Sequence, residues 1–193
     1  MKYPIGIQSF DRIIEDGYVY VDKTDMIYSL THESSIYFLS RPRRFGKSLL
    51  VSTLENYFLG RKDLFKGLAI EKLETEWNTY PVFHVDFNGS DFTQAGVLEQ
   101  RLNGYISDWE EACQLPSGQG VLDLGGRFMK VLEAAHRQTG RRAVVLVDEY
   151  DKPILDVLDA DAELENRHRN VLKGFYSVFK AADRHLQFVL LTG

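Results

Sequence analysis

Ile36-Tyr37-Phe38-Leu39-Ser40-Arg41-Pro42-Arg43-Arg44-Phe45-Gly46-Lys47-Ser48-Leu49-Leu50 passes from an apolar stretch through a cationic turn into a helical pattern. Ile36–Leu39 suits a buried strand, and Leu49, Leu50, Leu54, Tyr57 and Phe58 recur at helical spacing over about 47–59. Between them, Gly46-Lys47-Ser48 has the layout of a phosphate-binding loop. Consecutive N–H groups at a helix start cradle phosphate oxygens, Lys47 can reach the outer phosphates, and the Ser48 hydroxyl can hold Mg²⁺. A full loop reads G-x-x-x-x-G-K-[ST], and Arg41 replaces its first glycine. Pro42 brings no N–H, so this loop has fewer amide donors than a glycine-rich one. The guanidinium forks of Arg41, Arg43 and Arg44 can supplement the cradle. The candidate binding segment is therefore Arg41, Arg43, Arg44, Phe45, Gly46, Lys47, Ser48 and Leu49, with an exposed partner-binding patch as the alternative for the arginines.

About a hundred residues later, Ala143-Val144-Val145-Leu146-Val147-Asp148-Glu149 places two acids after an apolar run. Such a run suits a parallel strand buried on both faces, and its C-terminal end is where open α/β sheets bind ligands. In phosphoryl transfer one acid at this place holds the Mg²⁺ shell, here Asp148, while another group orients the attacking water, here Glu149. Standing alone, the pair also reads as solvated turn residues, with Asp151 capping a helix at Lys152-Pro153. The order and separation relative to Lys47 favour a joint site.

The remaining sequence bounds the class. One α/β domain fits 193 residues, and 44% hydrophobic with 26% charged residues is ordinary for a globular protein. A formal charge of −5 advertises no nucleic-acid surface. The single Cys113 excludes an internal disulfide and suits a reducing compartment. Neither a membrane span nor a secretory signal is evident, so a cytoplasmic location is expected. The five histidines lack metal-ligand spacing; His84, within an apolar strand, reads as a hydrogen-bonded core residue.

Along the chain, residues 1–30 form an N-terminal segment, with a short strand at Tyr18–Val21 and a helix capped at Asp22–Thr24 running to Leu30. Asp22-Lys23-Thr24-Asp25 superficially matches a guanine-reading motif, but it precedes the phosphate loop and reads as a cap. Residues 63–80 suggest short helical turns with a charged, exposed surface, and Pro81–Phe87 a second core strand. Asp91 and Gln94 form a capping-box pattern for a helix to about 112. Pro116–Gly126 is the likeliest mobile loop by composition, and a helix is expected over 121–138. A helix near 162–182 places Leu164, His168, Leu172, Phe175 and Phe179 on one face, before a last strand at Gln187–Leu191. Arg167-His168-Arg169 reads as a solvated helix face, with a trans-acting arginine finger as the alternative. Strands alternating with helices imply a mostly parallel sheet with right-handed crossovers.

Pro4-Ile5-Gly6-Ile7, Tyr20-Val21-Asp22-Lys23-Thr24, the Arg41–Ser48 string, Asp148-Glu149-Tyr150-Asp151-Lys152-Pro153 and Leu191-Thr192-Gly193 together resemble the bacterial AAA-ATPase-like family of P-loop NTPases. The resemblance covers essentially the whole chain. It implies a three-layer P-loop NTPase fold with sheet order 5-1-4-3-2 counted from the loop-bearing strand, with a truncation before the last core strand expected. It also implies ATP and Mg²⁺ as ligands, and Thr192 as a strand-tip group sensing the γ-phosphate or water. The resemblance further implies that longer relatives carry a C-terminal region similar to PD-(D/E)XK nucleases, through which alone a nucleic-acid partner is expected. A homo-oligomer or a protein partner stays open. Mg²⁺-dependent ATP hydrolysis by Lys47, Glu149 and Thr192 is the leading expectation. A nucleotide-gated scaffold without turnover is the alternative, and a P-loop kinase is disfavoured because no arginine-rich lid follows the acidic strand.

Overall fold

The computed structural model describes residues 2–42, 44–116 and 122–193. Four strands form one parallel sheet in the order β1 (Ile36–Leu39), β4 (Leu186–Thr192), β3 (Ala143–Asp148), β2 (Val82–Asp86). That is the 1-4-3-2 part of the expected order. The two inner strands are apolar because both of their faces are covered: every residue of β3 is buried. Burying Val144, Val145, Leu146 and Val147 contributes on the order of 10 kcal/mol before chain entropy is charged against it. Side chains alternate across the sheet. Val144, Leu146, Phe188 and Leu190 face one helical layer, whereas Val145, Val147, Val189 and Leu191 face the other.

The first layer holds α1 (Phe10–Glu15), α2 (Thr24–Glu33) and α3 (Lys47–Phe58); the second holds α4 (Val97–Ala112), α5 (Leu124–Thr139) and α7 (Ala162–Ala181). The short α6 (Lys152–Leu155) follows β3 directly. This is a three-layer α/β/α arrangement. No described helix is long and apolar enough to cross a membrane. At the outer flank, β1 leaves Phe38 68% exposed.

Several local expectations change. Tyr18–Val21 is not a strand: Val19 N donates to Lys2 O, Tyr20 packs edge-on against Phe10 at 5.1 Å, and Val21 is exposed. With no neighbouring strand, the alternating pattern serves to dock one ring. Helix α4 begins after Gly96 rather than at Asp91, because Asp91 accepts from the Thr93 amide and the Gln94 side chain and so closes a local turn instead. The segment after α3 forms 3-10 turns, as expected, but they are not merely a charged surface, since Leu64, Phe65 and Ile70 are buried beneath them. Lys23 is the N-cap of α2 and gives no side-chain cap; Asp22, one residue earlier, accepts from the Thr24 amide in a local turn, and its second oxygen accepts from Ala69 N. Helix α5 starts at Leu124 with Asp123 as its cap, and residues 117–121 of the loop expected to be mobile lie outside the described residues.

On α7 the inner face carries Leu164, His168, Leu172, Phe175 and Phe179 as expected. The Arg167-His168-Arg169 triplet is therefore not a uniform solvated face. His168 is fully buried, its Nδ1 donating to the Pro153 carbonyl at 2.8 Å, while Arg167 and Arg169 are exposed and paired with Glu99 and Glu165.

Candidate functional site

The tips of β1, β3 and β4 are laced together beyond the strands themselves. Gly193 N donates to Leu39 O, Arg41 N to Gly193 O, and Tyr150 N to Thr192 O. From that platform the chain leaves β1 through the cationic turn. Arg44 (φ 67°) and Gly46 (φ 77°) both take left-handed backbone, which turns the chain so that α3 starts at Lys47. The amides of Lys47, Ser48 and Leu49 lie in the first turn of α3, where N–H groups have no intrahelical acceptor and the helix dipole is positive. Arg41, Arg44 and Phe45 are exposed around this turn, Ser48 and Leu49 are half-buried, and Arg43 lies outside the described residues.

Lys47 is the buried member of the loop. Its Nζ donates to the Arg41 carbonyl at 2.9 Å and stands 3.6 Å from Glu149 Oε1. Glu149 follows β3 with φ 55°, an uncommon conformation for a residue with a side chain, and it swings its carboxylate toward Lys47. Strand alternation puts Asp148 and Thr192 on the α3 side of the sheet. Both are buried, and the Thr192 hydroxyl donates to Asp148 Oδ1. The structure thus brings Thr192 to the acid of β3 rather than to the open cleft.

The cleft beside them has a volume of about 410 Å³ and is lined by Arg41, Pro42, Lys47, Glu149, Asp151 and Gly193, among others. Two of these were not singled out from sequence. Asp151 Oδ1 is buried without a hydrogen-bond partner among the described residues, and Asp151 makes no side-chain cap to α6. A Cβ on Gly193 would lie 2.6 Å from the Tyr150 ring and 2.7 Å from Asp151 Oδ1, so a side chain there would have to displace both of these side chains. The acidic string after β3 was the available signal for Asp151, although its cap reading hid the cleft-facing role. Behind the cleft, α7 fixes the turn after β3: Tyr176 OH donates to Tyr150 O at 3.4 Å, and His168 holds the Pro153 carbonyl. Burial, then Tyr150 and Asp151, push the Tyr176 phenol pKa well above its usual value, so it stays a donor.

A second acid lies beside Asp148. Asp86 of β2 is its register partner, and two residues earlier His84 Nδ1 meets Glu55 Oε2 of α3 at 3.2 Å. Burial would lower the His84 pKa, but the Glu55 hydrogen bond and charge, then Asp86 and Asp148, outweigh it and raise the value. A raised folded pKa means that the imidazolium stabilises the fold fully below its unfolded pKa and loses that effect as pH rises through the folded value. Thermal unfolding of His84→Gln against wild type should therefore show a larger deficit at pH 6 than at pH 8.5; an equal deficit at both would rule out the charged pair.

The sheet order, the helix-start loop after β1 and the paired acids after β3 define a P-loop NTPase-like protein. The family model described as "Predicted AAA-ATPase" (AAA-ATPase-like) matches residues 4–193, and the chain belongs to that family. It is also 42% identical over 194 residues to a protein of Azotobacter chroococcum mcd 1 described as "Uncharacterized protein in vnfD 5'region", covering 100% of this chain and 37% of that relative. The chain therefore spans little more than a third of that relative's length. No solved structure matches the chain.

Proposed function

We propose that this chain is a Mg²⁺-dependent ATPase module working at the strand tips. The observation that carries the reading is the approach of Lys47 Nζ to within 3.6 Å of Glu149 Oε1 beside the first-turn amides of α3. The donor set fits the ligands: amides and an ammonium suit a polyphosphate, and a hydroxyl with a carboxylate suits a hard divalent cation. Ser48 and Asp148 would hold Mg²⁺, which supplies positive charge to β- and γ-phosphate oxygens when bound.

The chain's own residues divide the remaining work. The amides of Lys47, Ser48 and Leu49 bind phosphate oxygens, and Arg41, Arg43 and Arg44 add cationic donors where Pro42 removes an amide. Lys47 leaves the Arg41 carbonyl and Glu149 to neutralise outer phosphate charge. That exchange frees Glu149 to orient a water and accept its proton in line with the γ-phosphate. Thr192 acts through Asp148, holding its carboxylate in one orientation.

The test is a titration of Lys47→Ala with a fluorescent ATP analogue, with and without Mg²⁺, run beside phosphate release. Losing one charge-assisted contact of about 1.5–3 kcal/mol should weaken binding about ten- to a hundredfold. Unchanged affinity in this variant would remove Lys47 from the site. Metal-dependent binding by wild type without phosphate release would leave a nucleotide-binding module without turnover.

A further inference from the structure

A second cavity lies at the opposite end of the sheet, where the strands begin. Its volume is about 270 Å³, and its walls come from the C-terminal turns of α2 and α3, the segment before β2, and Gln187 of β4. Tyr28, Tyr57 and Tyr80 line it together with Glu74, and His32, also in the lining, stacks on one side of the Tyr28 ring at 4.0 Å. None of these residues takes part in the cleft beside Lys47.

The charge state of this cavity is its distinguishing property. Glu74 Oε2 accepts from Tyr57 OH at 2.5 Å, and Glu74 Oε1 accepts from the Glu76 amide at 2.8 Å. Both donors are neutral, and among the described residues no lysine or arginine forms an ion pair with Glu74. Glu76 adds a second carboxylate to the lining, and its Oε2 accepts from the Asn78 side-chain amide at 3.4 Å. Burial and then the Glu74 hydrogen bond hold the Tyr57 phenol pKa well above its usual value, so the ring stays a neutral donor facing a carboxylate. Arg141 does not line the cavity. It stacks on the Tyr80 ring at 5.7 Å while Asn78 Oδ1 accepts from its guanidinium, so this ring already receives a cation.

We propose that this cavity binds a small free organic cation, an alkylammonium or guanidinium group, held against Tyr28 and Tyr57 and neutralised by Glu74. Tyrosine faces attract such cations through their quadrupoles, and a partly enclosed carboxylate with no lysine or arginine partner among the described residues completes the site. The cavity is smaller than the ~300–1,000 Å³ of pockets that take drug-sized ligands, which suits a single head group rather than a nucleotide. The inference does not depend on the ATPase reading.

The test uses choline, guanidine and 3,3-dimethyl-1-butanol, the uncharged carbon isostere of choline. Trp77 reports occupancy by its fluorescence, since its ring lies 5.9 Å from that of Tyr57. Choline or guanidine should give a saturable change, and the isostere should bind at least about tenfold more weakly. Glu74→Gln should lose at least about tenfold in cation affinity while binding the fluorescent ATP analogue as wild type does. Equal binding of choline and its isostere, or no saturable response to either cation up to ~100 mM, a free energy weaker than about −1.4 kcal/mol, would overturn the proposal. If Glu74→Gln does not fold, the comparison of choline with its isostere on the wild-type protein still decides.

Discussion

Glu149→Gln is expected to cut ATP turnover by about 10²–10³-fold, the loss typical when one well-placed electrostatic group is removed from a reacting centre. Binding of the fluorescent ATP analogue should persist and tighten. In wild type, Glu149 lies 3.6 Å from the Lys47 ammonium, where on the proposed reading it would compete with a bound phosphate for that cation. Glutamine keeps the shape, removes the competing charge and cannot take the proton from water. The measurement is phosphate release under saturating Mg²⁺-ATP together with an affinity titration on the same preparation. Equal turnover in the two proteins would take water activation away from Glu149.

Arg127→Met should produce the largest loss of stability. Arg127 of α5 is buried and donates through Nε and Nη2 to both oxygens of Glu110 on α4, at 2.9 and 2.7 Å. It also donates to Asn103 and Ser107. Removing the guanidinium takes the Arg127 ion pair and its two hydrogen bonds away from Glu110, which is 2% exposed. Breaking a buried pair from one side costs about 3–5 kcal/mol, or about 6–20 °C in Tm for a chain of this size. Arg127→Met with Glu110→Leu should recover most of that, because two apolar groups replace a pair whose desolvation was already expensive. A single variant as stable as wild type in urea would show that the network carries no such load.

Much of the fold was legible because it is written in local pattern. The apolar run of β3 and the heptad-like face of α7 each report burial directly, and the loop before Lys47 sits between a strand pattern and a helix pattern. Patterns that depend on a distant partner were misleading. Tyr18–Val21 alternates like a strand, yet no strand lies beside it, and Tyr20 instead packs on Phe10. Asp91 and Gln94 have capping chemistry, which a turn uses as readily as a helix.

For the candidate site, sequence order placed Asp148, Glu149 and Thr192 at strand ends and Lys47 at a helix start. It could not reveal that Thr192 turns toward Asp148, that Lys47 touches the Arg41 carbonyl, or that Gly193 clears space for Asp151. Those are contacts between segments far apart in the chain. The tyrosine-lined cavity was illegible for the same reason, since it is assembled from four separate segments.

The lacing of the strand tips has a mechanical consequence. Because Leu39, Arg41, Tyr150, Thr192 and Gly193 share main-chain bonds, the Arg41 carbonyl held by Lys47 Nζ and the backbone next to Glu149 belong to one continuous slab. Fitting a ligand between them is then a matter of side-chain torsion, over a foundation that yields only when the whole sheet end frays.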